Sequence, residues 1–142
     1  MPARFMRGTG ALAQISADLG LSQVVSIPAN ARIIITSGQV GFREDLTIPE
    51  DVGEQVRQIA HNAHKLLQDA GATEGLKDIY HVTIYMTNMS DDNMLAAWKE
   101  VKSKYDIKSV ETGVTVPSLY QGAKVEMTFY ALGGCQVDSG KL

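Results

Sequence analysis

Hydrophobic residues recur along this chain in two rhythms. Val52, Val56, Ile59, Ala60, Ala63, Leu66, Leu67 and Ala70 return every three or four positions, which places them on one stripe of a helix. Pro49, Glu50 and Asp51 mark the start of that helix and Gly71 its stop. A second helix is predicted from Met94, Ala97, Val101 and Tyr105, with Trp98 beside them and Ser90, Asp91 or Asp92 as the cap. An aromatic at that spacing suits a core position or the wall of a ligand pocket.

Elsewhere the period is two. From Ile79 to Thr87, Val82, Ile84 and Met86 share one face, and His81, Thr83 and Tyr85 the other. Val110 to Val116 alternates too, as does Lys124 to Ala131, with Val125, Met127 and Phe129 on one side. Gln23 to Ile27 reads as a strand, Pro28 to Ala31 as a turn and Ile33 to Thr36 as the next strand, which together predict a β-hairpin. The uninterrupted run Ile33-Ile34-Ile35 suits a strand buried on both faces. Residues 1–20 read as a strand or loop, and Gly41 to Pro49 as a polar loop. Two apolar-striped helices against one face of a mixed sheet make an α+β two-layer sandwich. The other face, carrying Thr83, Tyr85, Thr115, Thr128 and Tyr130, is neither strongly charged nor strongly apolar. It suits either another subunit or solvent.

At 142 residues the chain is expected to form one domain over 1–142, with its core at about 20–132. No apolar run reaches membrane-spanning length, and no apolar segment follows Arg4 and Arg7 as a secretory signal requires. The single cysteine, Cys135, fits a reducing compartment, and the expected location is cytoplasmic. The ending Gly-Lys-Leu does not match the peroxisomal Ser-Lys-Leu address. A formal charge of −3, with scattered lysines and arginines, gives no electrostatic footprint for nucleic acid. His61 and His64 have metal-compatible spacing, but no third ligand is near them in sequence, so no metal and no cofactor is expected.

The candidate chemistry gathers at two places. Ser37-Gly38-Gln39-Val40-Gly41 follows the isoleucine strand, and its glycines permit close backbone approach. It lacks the Lys-Ser/Thr ending of a phosphate loop. If the last two strands formed a hairpin, Glu111 and Glu126 would share a face, with their backbones roughly 7–8 Å apart. Two such carboxyls, partly buried, could divide acid and base roles; at a rim they would simply stay ionised.

Several of these stretches resemble the RidA/YjgF family of reactive-intermediate (enamine/imine) deaminases. They are Ile35-Thr36-Ser37-Gly38-Gln39-Val40, Gly20-Leu21-Ser22-Gln23-Val24-Val25, Leu67-Gln68-Asp69-Ala70-Gly71-Ala72, Val82-Thr83-Ile84-Tyr85-Met86-Thr87 and Val125-Glu126-Met127, in order and at similar spacings. The resemblance implies a chorismate-mutase-like fold and a homotrimer with three ligand clefts between subunits. It also implies that Glu126 positions the attacking water and that Ser37, Gly38 and Gln39 contact substrate. In the family an arginine on the penultimate strand grips the substrate carboxylate. Counting back from Glu126 puts Glu111 at that position, Thr112 beside it and Gly113 at the family's cysteine. Leu21 stands for the family's tyrosine, and Trp98 takes the place of its helix asparagine.

An acidic group in place of the arginine would repel a 2-imino acid's carboxylate. The expectation is therefore a small-molecule enzyme of altered specificity, acting on a cationic amine, an iminium or a substrate without a carboxylate. Its catalytic residues would be Glu126 and Glu111, with Leu21, Ser37, Gly38, Gln39, Trp98, Thr112 and Gly113 binding substrate. The alternatives are a non-catalytic metabolite-binding regulator with the same clefts and, with little support from the charge balance, an endoribonuclease.

Overall fold

A computed structural model describes residues 3–134; Cys135 and the Gly-Lys-Leu ending lie outside the described residues. The helices fall where the 3.6-residue rhythm puts them. Val52–Asp69 (here α2) begins at Asp51, whose side chain accepts from the Glu54 N–H at 2.9 Å. Asp92–Tyr105 (α3) is capped by Asp91. Val56, Ile59, Ala63, Leu67, Met94, Ala97, Trp98 and Val101 are buried against the sheet. Leu66 and Ala70 are exceptions to the expected stripe, since both are exposed.

The main sheet has four strands. Arg32–Ile35 (β3), Ile79–Met86 (β4), Val110–Thr115 (β5) and Val125–Gly133 (β6) lie in the order β3-β6-β4-β5. Strand β6 runs antiparallel to both neighbours, and β4 and β5 are parallel, joined across α3. Burial alternates along β4 from His81 onward and along β6 up to Ala131, so Val82, Ile84, Val125, Met127 and Phe129 meet the helices. The opposite face carries His81, Thr83, Tyr85, Glu126, Thr128 and Tyr130, all partly exposed.

Four expectations are corrected. Residues 1–20 hold a short strand, Arg4–Met6 (β1), and a helix, Ala11–Leu19 (α1). Leu12, Ile15 and Leu19 on α1 recur at helical spacing and are about half exposed. Val24–Ser26 (β2) pairs with β1 in a separate two-stranded sheet and not with β3, so the first hairpin does not form. The Pro28–Ala31 turn reverses the chain, but a turn does not require its flanking strands to pair. Strand β3 is an edge strand. Ile33 and Ile35 are 53% and 58% exposed, and only Ile34 packs on the core. Finally, β4 lies between β5 and β6, so the second hairpin is absent as well.

Candidate functional site

The position of β4 between β5 and β6 separates the two glutamates. Glu111 on β5 sits opposite Val82, whose side chain faces the helices. Glu126 on β6 sits opposite Tyr85, on the other face. Within one chain the two carboxyls therefore lie on opposite sides of the sheet and do not form an acid–base pair. Strand alternation was legible in the sequence, but the identity of each strand's neighbour was not.

Glu111 belongs to a cavity of about 510 Å³ between α1, α3 and the β4–β5 edge. Leu21, Trp98 and Gly113 line it too, so four of the expected site residues converge there. Met86, Met89, Met94 and Leu95 supply much of the remaining wall. Gly113 faces into it closely enough that a Cβ would sit 3.0 Å from the Met86 methyl. Thr112, between Glu111 and Gly113, is exposed on the opposite face and lies outside the cavity.

The residue missed in the sequence is Lys102. It follows Trp98 by one helical turn, at the edge of the apolar stripe of α3, and only 6% of its side chain is exposed. Its Nζ donates to Glu111 Oε2 at 2.7 Å and to the Leu19 carbonyl at 2.6 Å. The second bond caps the C-terminal end of α1, where carbonyls lack helical partners and a cation is favoured. Trp98 Nε1 also donates to Glu111 Oε2, at 3.1 Å. Burial pushes the Glu111 carboxyl above its usual range, against the pull of Lys102 and Trp98. A cation on the inner edge of an apolar helix stripe is the signal that would have found this pair.

The second cluster is built by a β-bulge. Thr36 donates its N–H to the Phe129 carbonyl, and Gln39 exchanges both backbone bonds with Met127. Ser37 and Gly38 therefore oppose the single residue Thr128. Their two N–H groups have no acceptor among the described residues. Gly38 lets the Glu126 side chain approach closely, because a Cβ there would lie 2.8 Å from the Glu126 carboxyl carbon and displace that side chain. Gly41 makes a similar approach to the Gln55 carbonyl on α2. Neither glycine has a positive φ. Gln39 Nε2 turns back to the Ser37 carbonyl at 3.1 Å.

Of the two helix histidines, His61 is exposed, and His64 Nδ1 accepts the Leu76 N–H at 3.1 Å. No helix among the described residues is long and apolar enough to cross a membrane.

Residues 12–132 match the family model described as endoribonuclease L-PSP. Among solved structures, the chain is similar to the Rid-family protein YyfB of Yersinia pestis, a protein of unknown function. The TM-score is 0.79 at 21% identity, over 93% of this chain and 99% of that one. It is also similar to the YjgF product of E. coli, with a TM-score of 0.65 at 23% identity, over 72% and 85% of the two chains. E. coli TdcF, solved with bound serine, gives 0.65 at 21% identity, over 77% and 90%. At these identities the structural likeness establishes the fold. No curated protein matches the chain.

Proposed function

The chain belongs to the endoribonuclease L-PSP family, the RidA/YjgF proteins, and from that premise we propose that it is a small-molecule enzyme hydrolysing imines or enamines that carry no carboxylate. The observation that carries this reading is the buried Lys102–Glu111 pair at 2.7 Å. It stands where the family resemblance puts a carboxylate-gripping arginine. Lys102 is already engaged by Glu111 and by the Leu19 carbonyl. A substrate carboxylate would find no unpartnered cation deep in this cavity, and it would meet the Glu111 charge.

The Glu126 cluster enters through assembly. Strands β3 and β5 are the two edges of the sheet, with the Ser37-Gly38 bulge near one and the Glu111 cavity at the other. A ring of identical chains joins unlike surfaces, so a homotrimer can bring the bulge side of one subunit to the cavity side of the next. In that cleft Glu126 takes a proton from water as the oxygen adds to the C=N carbon. The nitrogen gains a proton, and the resulting carbinolamine collapses to a carbonyl compound and an amine. The N–H groups of Ser37 and Gly38 stabilise the negative charge that develops on the nitrogen as the oxygen bonds to carbon.

The family model's description names an endoribonuclease, but the formal charge of −3 does not favour a polyanionic substrate. The test is turnover of an uncharged aliphatic imine, followed as carbonyl release. Glu126→Gln is expected to lower kcat by about a hundredfold. No turnover by the wild-type protein, with Glu126→Gln changing only ligand affinity, would indicate a binding protein instead.

A further inference from the structure

The cavity beside Glu111 has a chemistry that narrows its ligand further. Its inner wall is formed by Ile84, Met86, Met94 and Trp98, each at most 5% exposed. Methionine side chains are flexible and polarisable, so such a wall fits aromatic or branched groups of varied outline. The volume of about 510 Å³ lies in the range of small-molecule sites.

The charged groups deep in the cavity are Glu111 and Lys102, which neutralise each other. Asp18 and Lys99 also line it, and Lys99 Nζ is tied to the Asp18 carbonyl at 3.1 Å. Glu111 Oε2 receives both Lys102 and Trp98, whereas Oε1 takes no hydrogen bond among the described residues. An incoming carboxylate would have to draw Lys102 from two good acceptors. An incoming ammonium would share a carboxylate with Lys102 and be repelled by it. The cationic substrate anticipated from Glu111 alone therefore loses that support once its partner is known.

We propose that this cavity takes an uncharged, mainly apolar molecule with one N–H or O–H donor, which seats on Glu111 Oε1 while the apolar body fills the methionine-lined wall. This rests on the reading of the cavity as the substrate site. It concerns binding, so it can be tested separately from turnover.

Trp98 is the chain's single tryptophan, and it both lines the cavity and bonds Glu111, so its fluorescence reports occupancy. Titration with 2-phenylethanol, 2-phenylethylammonium, phenylacetate and ethylbenzene isolates the polar end. The alcohol is expected to change Trp98 emission saturably and to bind at least about tenfold tighter than each of the other three. Gly113→Leu, which fills the wall, and Leu95→Phe, which narrows the half-exposed rim without entering the core, should each weaken the alcohol by about tenfold or more. Equal or tighter binding of the carboxylate, the ammonium or the hydrocarbon would overturn the proposal. So would a Trp98 response that persists unchanged in a folded Leu95→Phe protein, or no response to any of the four. Alcohol binding without imine turnover would leave this inference standing and remove the enzymatic reading.

Discussion

Glu111 and Lys102 illustrate how a single neighbour reverses the meaning of a residue. With no cation nearby, an acidic side chain in a cleft is a source of repulsion, and Glu111→Gln should stabilise the protein. With Lys102 at 2.7 Å and both side chains nearly buried, the same change strands an ammonium in an apolar wall. Glu111→Gln is therefore expected to destabilise the fold by about 3 kcal/mol, and Lys102→Met combined with Glu111→Leu to recover most of that loss. Urea unfolding of the single and double variants measures both effects. A single variant as stable as wild type would mean that the pair is not formed. The acid residue was plain in the sequence, but its partner was not, because a lysine on a helix is ordinarily a solvated side chain. Gly38 was legible for its lack of a Cβ, although what approaches it, the Glu126 carboxyl, required the fold.

At the scale of elements, periodicity located both long helices and the strands of the main sheet. It did not locate pairing. Strands β5 and β6 alternate in the same way whether they are neighbours or flank a third strand, and only the second arrangement puts Glu111 and Glu126 on opposite faces. The helix α1 was missed although Leu12, Ile15 and Leu19 recur at helical spacing, because Gly8, Gly10 and Gly20 punctuate the segment around it. It is held by polar contacts: Ser16 Oγ donates to the Arg7 carbonyl, and Lys102 donates at its end. The open face of the sheet has an element-level consequence in the pairing of β4 with β6. His81 stacks on Tyr130 with ring centroids 4.6 Å apart, and burial lowers its pKa below the usual histidine value. The unfolded chain then takes up this proton more readily than the folded one. The stabilising contribution is present above about pH 6.5 and is lost as pH falls from there through the folded pKa. Thermal unfolding across pH 5 to 8 should show a decline on the acid side that is smaller in His81→Phe. An identical decline in both proteins would exclude His81 as its source.

For the whole molecule, the exposed Ile33, Ile35 and Val114 lie on the same open side as Tyr130 and His81. A face of this kind calls for a partner, and the family fold and the two separated clusters make other copies of the chain the fitting one. Sedimentation equilibrium at micromolar concentration should give a trimer, and a monomer would leave Glu126 with no route to the Glu111 cavity. In the proposed function, an internally neutralised ion pair stands in place of a carboxylate grip, so that the substrate carries no carboxylate. The most direct test is the ratio of kcat/KM for an uncharged aliphatic imine to that for 2-aminoacrylate, measured on the wild-type protein. The expected ratio is at least about one hundred, the loss that follows when a substrate charge is left unpaired in a buried site. A ratio below one would show that the cavity grips a carboxylate after all and would contradict the assignment of Lys102 and Glu111 to each other.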